Sequence, residues 1–448
     1  MSLIQIPVNK LSTEAKLYVW SIVLEPLLFL ILSGALFSGI HISVARIIQC
    51  IFLIMFFLRV STKNKHCIVP NPISHNYCYI TAYFCLLVIS SFIGLLYGGS
   101  YILTNIDESY KSVFALRMPL EFIILIYYIL YFVVLPQYIL DSREKIKYLF
   151  DCIEIIFYLS VVVGLLDLFF SYFDLAFIPR HYGEEAVYVG TRFHGFAGEP
   201  RDAFVYLIFG YMILLIKSEV FKKENFKFLL PVVLLCIVLT QSGSGFLGIA
   251  IGSLLYLLFN FSVLKTKEIL ALTLVLLVTV LSVSQTDRLK NYYDLIIDIK
   301  EIISSGGELP FLIKVQSNNI FPLWSIYQKI PNFDLLTVFF GSGIGSSAVL
   351  NSNLGDFFGN EIVNPHAQIT RILFEGGILG FTLYVYFFYK IFKTFIKGIS
   401  LKSKNYYTII YFMFLGSSLA HRSTAIFVFT GIIFALLRIR KNDNLLER

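Results

Sequence analysis

Apolar runs of about twenty residues recur along the chain, and no other feature limits its fold so severely. They lie at 17–38, 42–58, 78–98, 113–135, 149–171, 202–216, 228–240, 246–261, 268–285, 367–392, 406–420 and 423–437. Coiled at about 1.5 Å per residue, half of them match a hydrocarbon core of about 30 Å. In that core every backbone N–H and C=O must be satisfied internally, which favours helices. The pattern predicts an all-α polytopic membrane protein of one domain over 1–448, with about twelve transmembrane helices. Composition agrees: 57% of residues are hydrophobic and 15% charged, against about a quarter charged in soluble domains. An ordinary soluble enzyme, a disordered chain and a nucleic-acid-binding arm are excluded.

Two stretches need argument. Residues 228–261 would form a straight helix of about 51 Å, too long for one crossing, and Gln241–Gly245 interrupts them with small polar residues. Residues 406–437 carry His421 and Arg422 in their middle. Both stretches are flanked by lysine or arginine at each end, so each is expected to be a hairpin. With the N-terminus inside, 23 of the 36 lysines and arginines fall on the cytoplasmic side, as the positive-inside rule requires. The net charge of +7 thus follows topology, not nucleic-acid binding. Both termini are then cytoplasmic, and two long loops, 172–201 and 286–366, are external. The polar start of the chain, without a small-residue cleavage site, favours a retained first span over a signal peptide.

Everything facing the cytoplasm is short and basic. No GxxxxGK[ST] unit is present, so chemistry is expected outside, without a nucleotide. Neither outer loop contains any of the six cysteines, and no CxxC or Cys/His ligand spacing occurs. Structural disulfides, a metal site and a cofactor are therefore not expected.

The first outer loop packs Arg192, His194, Glu199 and Arg201 into ten residues before a span. Gly195, Gly198 and Pro200 suggest a shaped turn, and arginine's planar fork suits phosphate. The bland alternative is interfacial anchoring. The second loop begins with an amphipathic pattern, Leu289, Tyr292, Tyr293, Ile296 and Ile303 sharing one face, suited to a membrane surface. Its Gly341–Gly345 segment reads as a tight turn more than as a phosphate loop. It ends at His366, followed by Arg371 and Glu375 on a predicted helix. Arg117, Glu121 and Arg422 also sit in apolar surroundings, where charge is costly and usually faces a cavity or a partner. Arg117 and Glu121 have i,i+4 spacing.

Together these motifs resemble the Wzy-type O-antigen and capsule polymerases, whose relatives include the O-antigen ligases. The resemblance rests on Arg192-Phe-His-Gly195 with Gly198-Glu-Pro200, and on His366 followed by Glu375-Gly-Gly-Ile-Leu-Gly380. It covers essentially the whole architecture. Ala367 stands where many members have asparagine, and Lys314 where many have arginine. The resemblance implies a glycosyltransferase-C-like fold and metal-independent polymerisation of repeat units into O-antigen or capsular polysaccharide, outside the bacterial inner membrane. Undecaprenyl-pyrophosphate-linked glycan would be donor and acceptor, with membrane lipid and a chain-length regulator protein as further partners. His366 would be the base. Arg192 and Arg201 would bind pyrophosphate, with Arg371, Glu375, Glu199, His194, Arg117 and Arg422 supporting. No DxD pair occurs outside and the first outer turn, about 38–41, has no acidic residue; both disfavour the metal-using branch of such enzymes. An O-antigen ligase has the same chemistry. A flippase or secondary transporter is the rival from another class, but no similarity between chain halves supports it.

Overall fold

The computed structural model describes residues 12–27, 31–32, 42–63, 74–97, 114–178, 180–182, 185–187, 192–221, 226–260, 301, 304–305, 335–347, 368–398 and 401–446. Among the described residues the regular structure is helical apart from two short antiparallel strand pairs. In order, α1 (Thr13–Val23) is followed by β1 (Ile31–Leu32) and β2 (Ile42–Ser43), which pair with each other. Then come α2 (Val44–Lys63), α3 (Ser74–Tyr97), α4 (Phe114–Tyr128), α5 (Pro136–Ile139) and α6 (Arg143–Ser171). β3 (Arg180–Tyr182) and β4 (Glu185–Val187) pair within the first long loop. The rest is α7 (Pro200–Phe221), α8 (Leu230–Thr240), α9 (Gly243–Asn260), α10 (Leu335–Phe340), α11 (Gln368–Ile396), α12 (Leu401–Ala420) and α13 (Ala425–Leu446).

Among the described residues, five helical segments are long and apolar enough to cross a membrane: Tyr77–Leu96, Arg117–Ile139, Arg143–Ser171, Pro200–Phe221 and Gln368–Ile396. Their outward faces carry large exposed hydrophobics such as Phe92, Leu96, Ile123 and Phe169. The expectation of one span over 17–38 needs correcting. The helix there stops at Val23 and covers 11 residues, about 17 Å, short of a crossing. Pro26 supplies no N–H for its continuation, and Ile31–Leu32 are extended. Both long apolar stretches are broken where small or polar residues interrupt them. Gln241 takes a left-handed conformation (φ 46°) between α8 and α9, and His421–Thr424 separate α12 from α13. The run 268–285 and the amphipathic pattern from 289 to 303, except Glu301, lie outside the described residues, as do His366, Ala367, Lys314 and positions 38–41.

α7 is the central helix, buried almost without interruption from Ala203 to Ile216. α9 and α12 meet backbone to backbone through small residues. A Cβ on Gly248 would stand 2.5 Å from Ser417 Cα, and one on Gly416 would stand 2.1 Å from Gly248 O. Such contacts typify helix pairs in lipid, where close approach replaces the hydrophobic drive. Between α4 and α5, Ile129–Val134 widen into a π-turn, with Leu135 N–H donating to Leu130 O at 2.9 Å. In that register the Tyr131 carbonyl would need an N–H from residue 136, which is proline. The Tyr18 hydroxyl donates to it instead, at 2.8 Å.

Candidate functional site

The sequence places Arg117 and Glu121 one turn apart on α4, and that spacing makes them a pair: Arg117 Nη2 is 2.5 Å from Glu121 Oε1. The other Glu121 oxygen receives two further cations. Arg371 Nη2, from the first turn of α11, donates to Oε2 at 2.6 Å, and Arg422 Nη2, from the α12–α13 turn, lies 3.5 Å from the same atom. Arg371 Nε also meets both oxygens of Glu375 at 3.2 Å. Glu121 is 2% exposed and Glu375 4%. Three guanidiniums against two carboxylates leave this buried cluster with a formal charge of +1.

Glu375 is fixed from the other side by the glycine-rich turn. Gly341, Gly343 and Gly345 all have positive φ (80°, 93° and 85°), where a side chain is strained. α11 is interrupted at Gly377 (φ 64°, ψ −168°). Ser342 N–H donates to Phe374 O at 2.8 Å, Gly343 N–H to Glu375 O at 3.0 Å, and Ser347 Oγ to Glu375 Oε1 at 2.6 Å. A Cβ on Gly341 would come within 2.5 Å of the Glu375 backbone, and one on Gly345 within 3.1 Å of Arg117 Cγ. The tight-turn reading of 341–345 therefore holds, with an added purpose: this turn locks Glu375 and leaves room for Arg117.

A cavity of about 190 Å³ opens against the cluster, lined by Glu121, Arg371, Glu375, Arg422, Gln368 and the aromatic faces of Tyr83, Tyr128 and Tyr384. Its volume is below the 300–1,000 Å³ usual for whole small-molecule sites. It suits a compact headgroup, not an oligosaccharide.

The first-loop motif lies elsewhere in the bundle. Arg192 gives its guanidinium to backbone: Nε to Thr240 O and Nη2 to Gln241 O, both at 3.0 Å. It thus satisfies carbonyls left over at the C-terminus of α8. His194 is buried, its Nε2 3.4 Å from Asp167 Oδ2 and its Nδ1 3.1 Å from Gly195 O. Asp167 also accepts from the N–H groups of Phe177 and Ile178 at 2.7 and 2.8 Å. The pair ties the loop to α6. Glu199 and Arg201 pair at 2.5 Å beside Pro200, the first residue of α7. Burial pushes the Glu199 carboxyl above the usual carboxylate range; Arg201 draws it back and Asp202 adds to the rise. Asp202, in the first turn of α7, meets His421 Nε2 at 2.7 Å. This links the first-loop group to the turn that carries Arg422.

Four of the expected site residues thus meet in one place: Arg117, Arg371, Glu375 and Arg422. The centre of that cluster, Glu121, was legible as a charge in apolar surroundings and as the partner of Arg117, but was not among the expected site residues. Asp167, Asp202 and His421 were missed as site residues, although each is an ionisable group in or beside an apolar run. No family model matches the chain, and no curated protein or solved structure shows significant similarity to it.

Proposed function

We propose that this chain is a membrane-embedded glycosyltransferase that polymerises lipid-pyrophosphate-linked repeat units, with the Glu121-centred arginine cluster as its pyrophosphate site. The observation that carries this is the convergence of Arg117, Arg371 and Arg422, from three separate segments, on Glu121, with Arg371 and Arg422 lining a cavity of headgroup size. Arginine in apolar surroundings costs about 2.5–3.5 kcal/mol on insertion scales. Three of them, not neutralised by the two glutamates, call for an anionic ligand. Phosphate is the anion that planar donor forks fit best. The glycan follows from the resemblance of the motifs around Arg192–Pro200 and His366–Gly380 to the O-antigen and capsule polymerases, which implies undecaprenyl-pyrophosphate-linked oligosaccharide as donor and acceptor.

In this reaction the acceptor hydroxyl attacks the anomeric carbon while the bond from that carbon to the pyrophosphate breaks. Negative charge grows on the departing oxygen, and fixed guanidiniums stabilise it electrostatically. The hydroxyl must also give up its proton, a task the family resemblance assigns to His366. On this reading the apolar helices form a glycosyltransferase-C-like bundle in the bacterial inner membrane.

The test is reconstitution of the purified protein with lipid-linked glycan extracted from a strain deleted for it. Ladders of increasing length support polymerisation, and Arg371→Gln should abolish them while the protein still inserts. Transfer only to a lipid A core would identify a ligase instead. Movement of unextended glycan across the vesicle membrane would identify a transporter.

A further inference from the structure

We propose that His421, oriented by Asp202, accepts the proton of the attacking hydroxyl, in place of His366. The inference rests on the glycosyl-transfer reading. His421 opens the turn between α12 and α13 and is 8% exposed. Its Nε2 meets Asp202 Oδ1 at 2.7 Å. A carboxylate there holds the proton on Nε2, which leaves Nδ1 as a lone-pair acceptor. That Nδ1 is buried and has no hydrogen-bond partner among the described residues. A buried polar atom left unpaired calls for an explanation, and a group supplied by a substrate is one.

Position supports this assignment. The next three residues, Arg422, Ser423 and Thr424, line the cavity beside the arginine cluster. From α7, Asp202 and the Glu199–Arg201 pair face the imidazole; Arg422 follows it in the chain. His194, the other described buried histidine, has both ring nitrogens engaged. It has no free lone pair to offer.

The step balances without a further reactant. The acceptor oxygen bonds to the anomeric carbon, the carbon–oxygen bond to pyrophosphate breaks, and its electron pair leaves on the pyrophosphate held by the arginines. The hydroxyl proton passes to His421 Nδ1 and then to water.

Two substitutions keep the contact to α7 and remove only the basicity. His421→Gln retains an N–H donor toward Asp202. Asp202→Asn can donate to Nε2, which moves the ring proton to Nδ1. With lipid-linked glycan extracted from the deletion strain as the probe, each should lower kcat by about 10²–10⁴-fold. KM for the donor should stay near wild type. In His421→Ala, added imidazole should restore part of the rate. If His421→Gln and Asp202→Asn both keep kcat within about threefold of wild type, or imidazole rescues nothing in a folded His421→Ala protein, the pair is only a latch between α7 and the turn. Wild-type protein that extends no chains would overturn the glycosyl-transfer reading together with this inference; active wild type with active variants overturns this inference alone.

Discussion

Glu121→Gln keeps the shape of the site and deletes the charge on which three arginines converge. The formal charge of the cluster rises from +1 to +2, with Glu375 left to face Arg117, Arg371 and Arg422. Unit charges about 4 Å apart interact by about 4 kcal/mol at an effective dielectric near 20. Breaking a buried pair by removing one partner costs about 3–5 kcal/mol. The substitution should therefore destabilise the protein by that amount, measured by reversible unfolding in mixed micelles. The structure also ranks the partners. Arg371 lies at 2.6 Å with 11% side-chain exposure, whereas Arg422 lies at 3.5 Å with 35%. A double-mutant cycle of Glu121→Gln with Arg371→Gln should give a coupling near the top of the usual range of about 0.5–3 kcal/mol, and one with Arg422→Gln near the bottom. Inorganic pyrophosphate should stabilise Glu121→Gln more than wild type, because the vacated charge favours an anion. A single-variant cost below about 1 kcal/mol, or a Glu121–Arg371 cycle additive within about 0.5 kcal/mol, would refute the idea of a tightly coupled cluster.

Other outcomes follow from the same structure. Arg192→Ala removes two charge-assisted bonds to the end of α8 and should cost about 1.5–3 kcal/mol of stability, with KM for lipid-linked donor unchanged; a raised KM at intact stability would return Arg192 to pyrophosphate binding. Gly341→Ala must place a Cβ 2.5 Å from the Glu375 backbone at φ 80°; it should destabilise by about 1–3 kcal/mol and depress activity, which thermal unfolding and chain-length ladders would report together. Single cysteines at positions 185 and 310 should react with an impermeant thiol reagent from outside, and those at 63 and 402 should not; protection at 185 and 310 would undo the topology. Chelators should leave chain extension intact, whereas strict dependence on added magnesium or manganese would count against arginine-based leaving-group stabilisation.

Local physics was legible in the sequence wherever spacing alone decides contact. Arg117 and Glu121 are one helical turn apart and pair as that spacing requires. Gln241–Gly245 and His421–Arg422 break long apolar stretches where they were expected to. What remained hidden was convergence. Arg371 reaches Glu121 across 250 residues, a contact set by how α4, α11 and the α12–α13 turn pack, and no periodicity encodes it. Arg192 misled for a related reason. A cation in a glycine-rich turn reads as an anion binder until α8 is seen to end beside it with unsatisfied carbonyls. Hydropathy likewise overstated the first span, because summing apolarity ignores the proline at position 26.

The arrangement of charges around Glu121 also bears on how the protein can be made. During synthesis α4 must leave the insertion machinery long before Arg371 or Arg422 exists. At that moment Glu121 already has an escort on its own helix, Arg117, so the segment enters lipid as a locally neutral pair. The permanent partners arrive only with α11 and the turn before the last helix. A chain stopped between Glu375 and Arg422 carries a formally neutral centre, and the surplus positive charge appears only when Arg422 joins it.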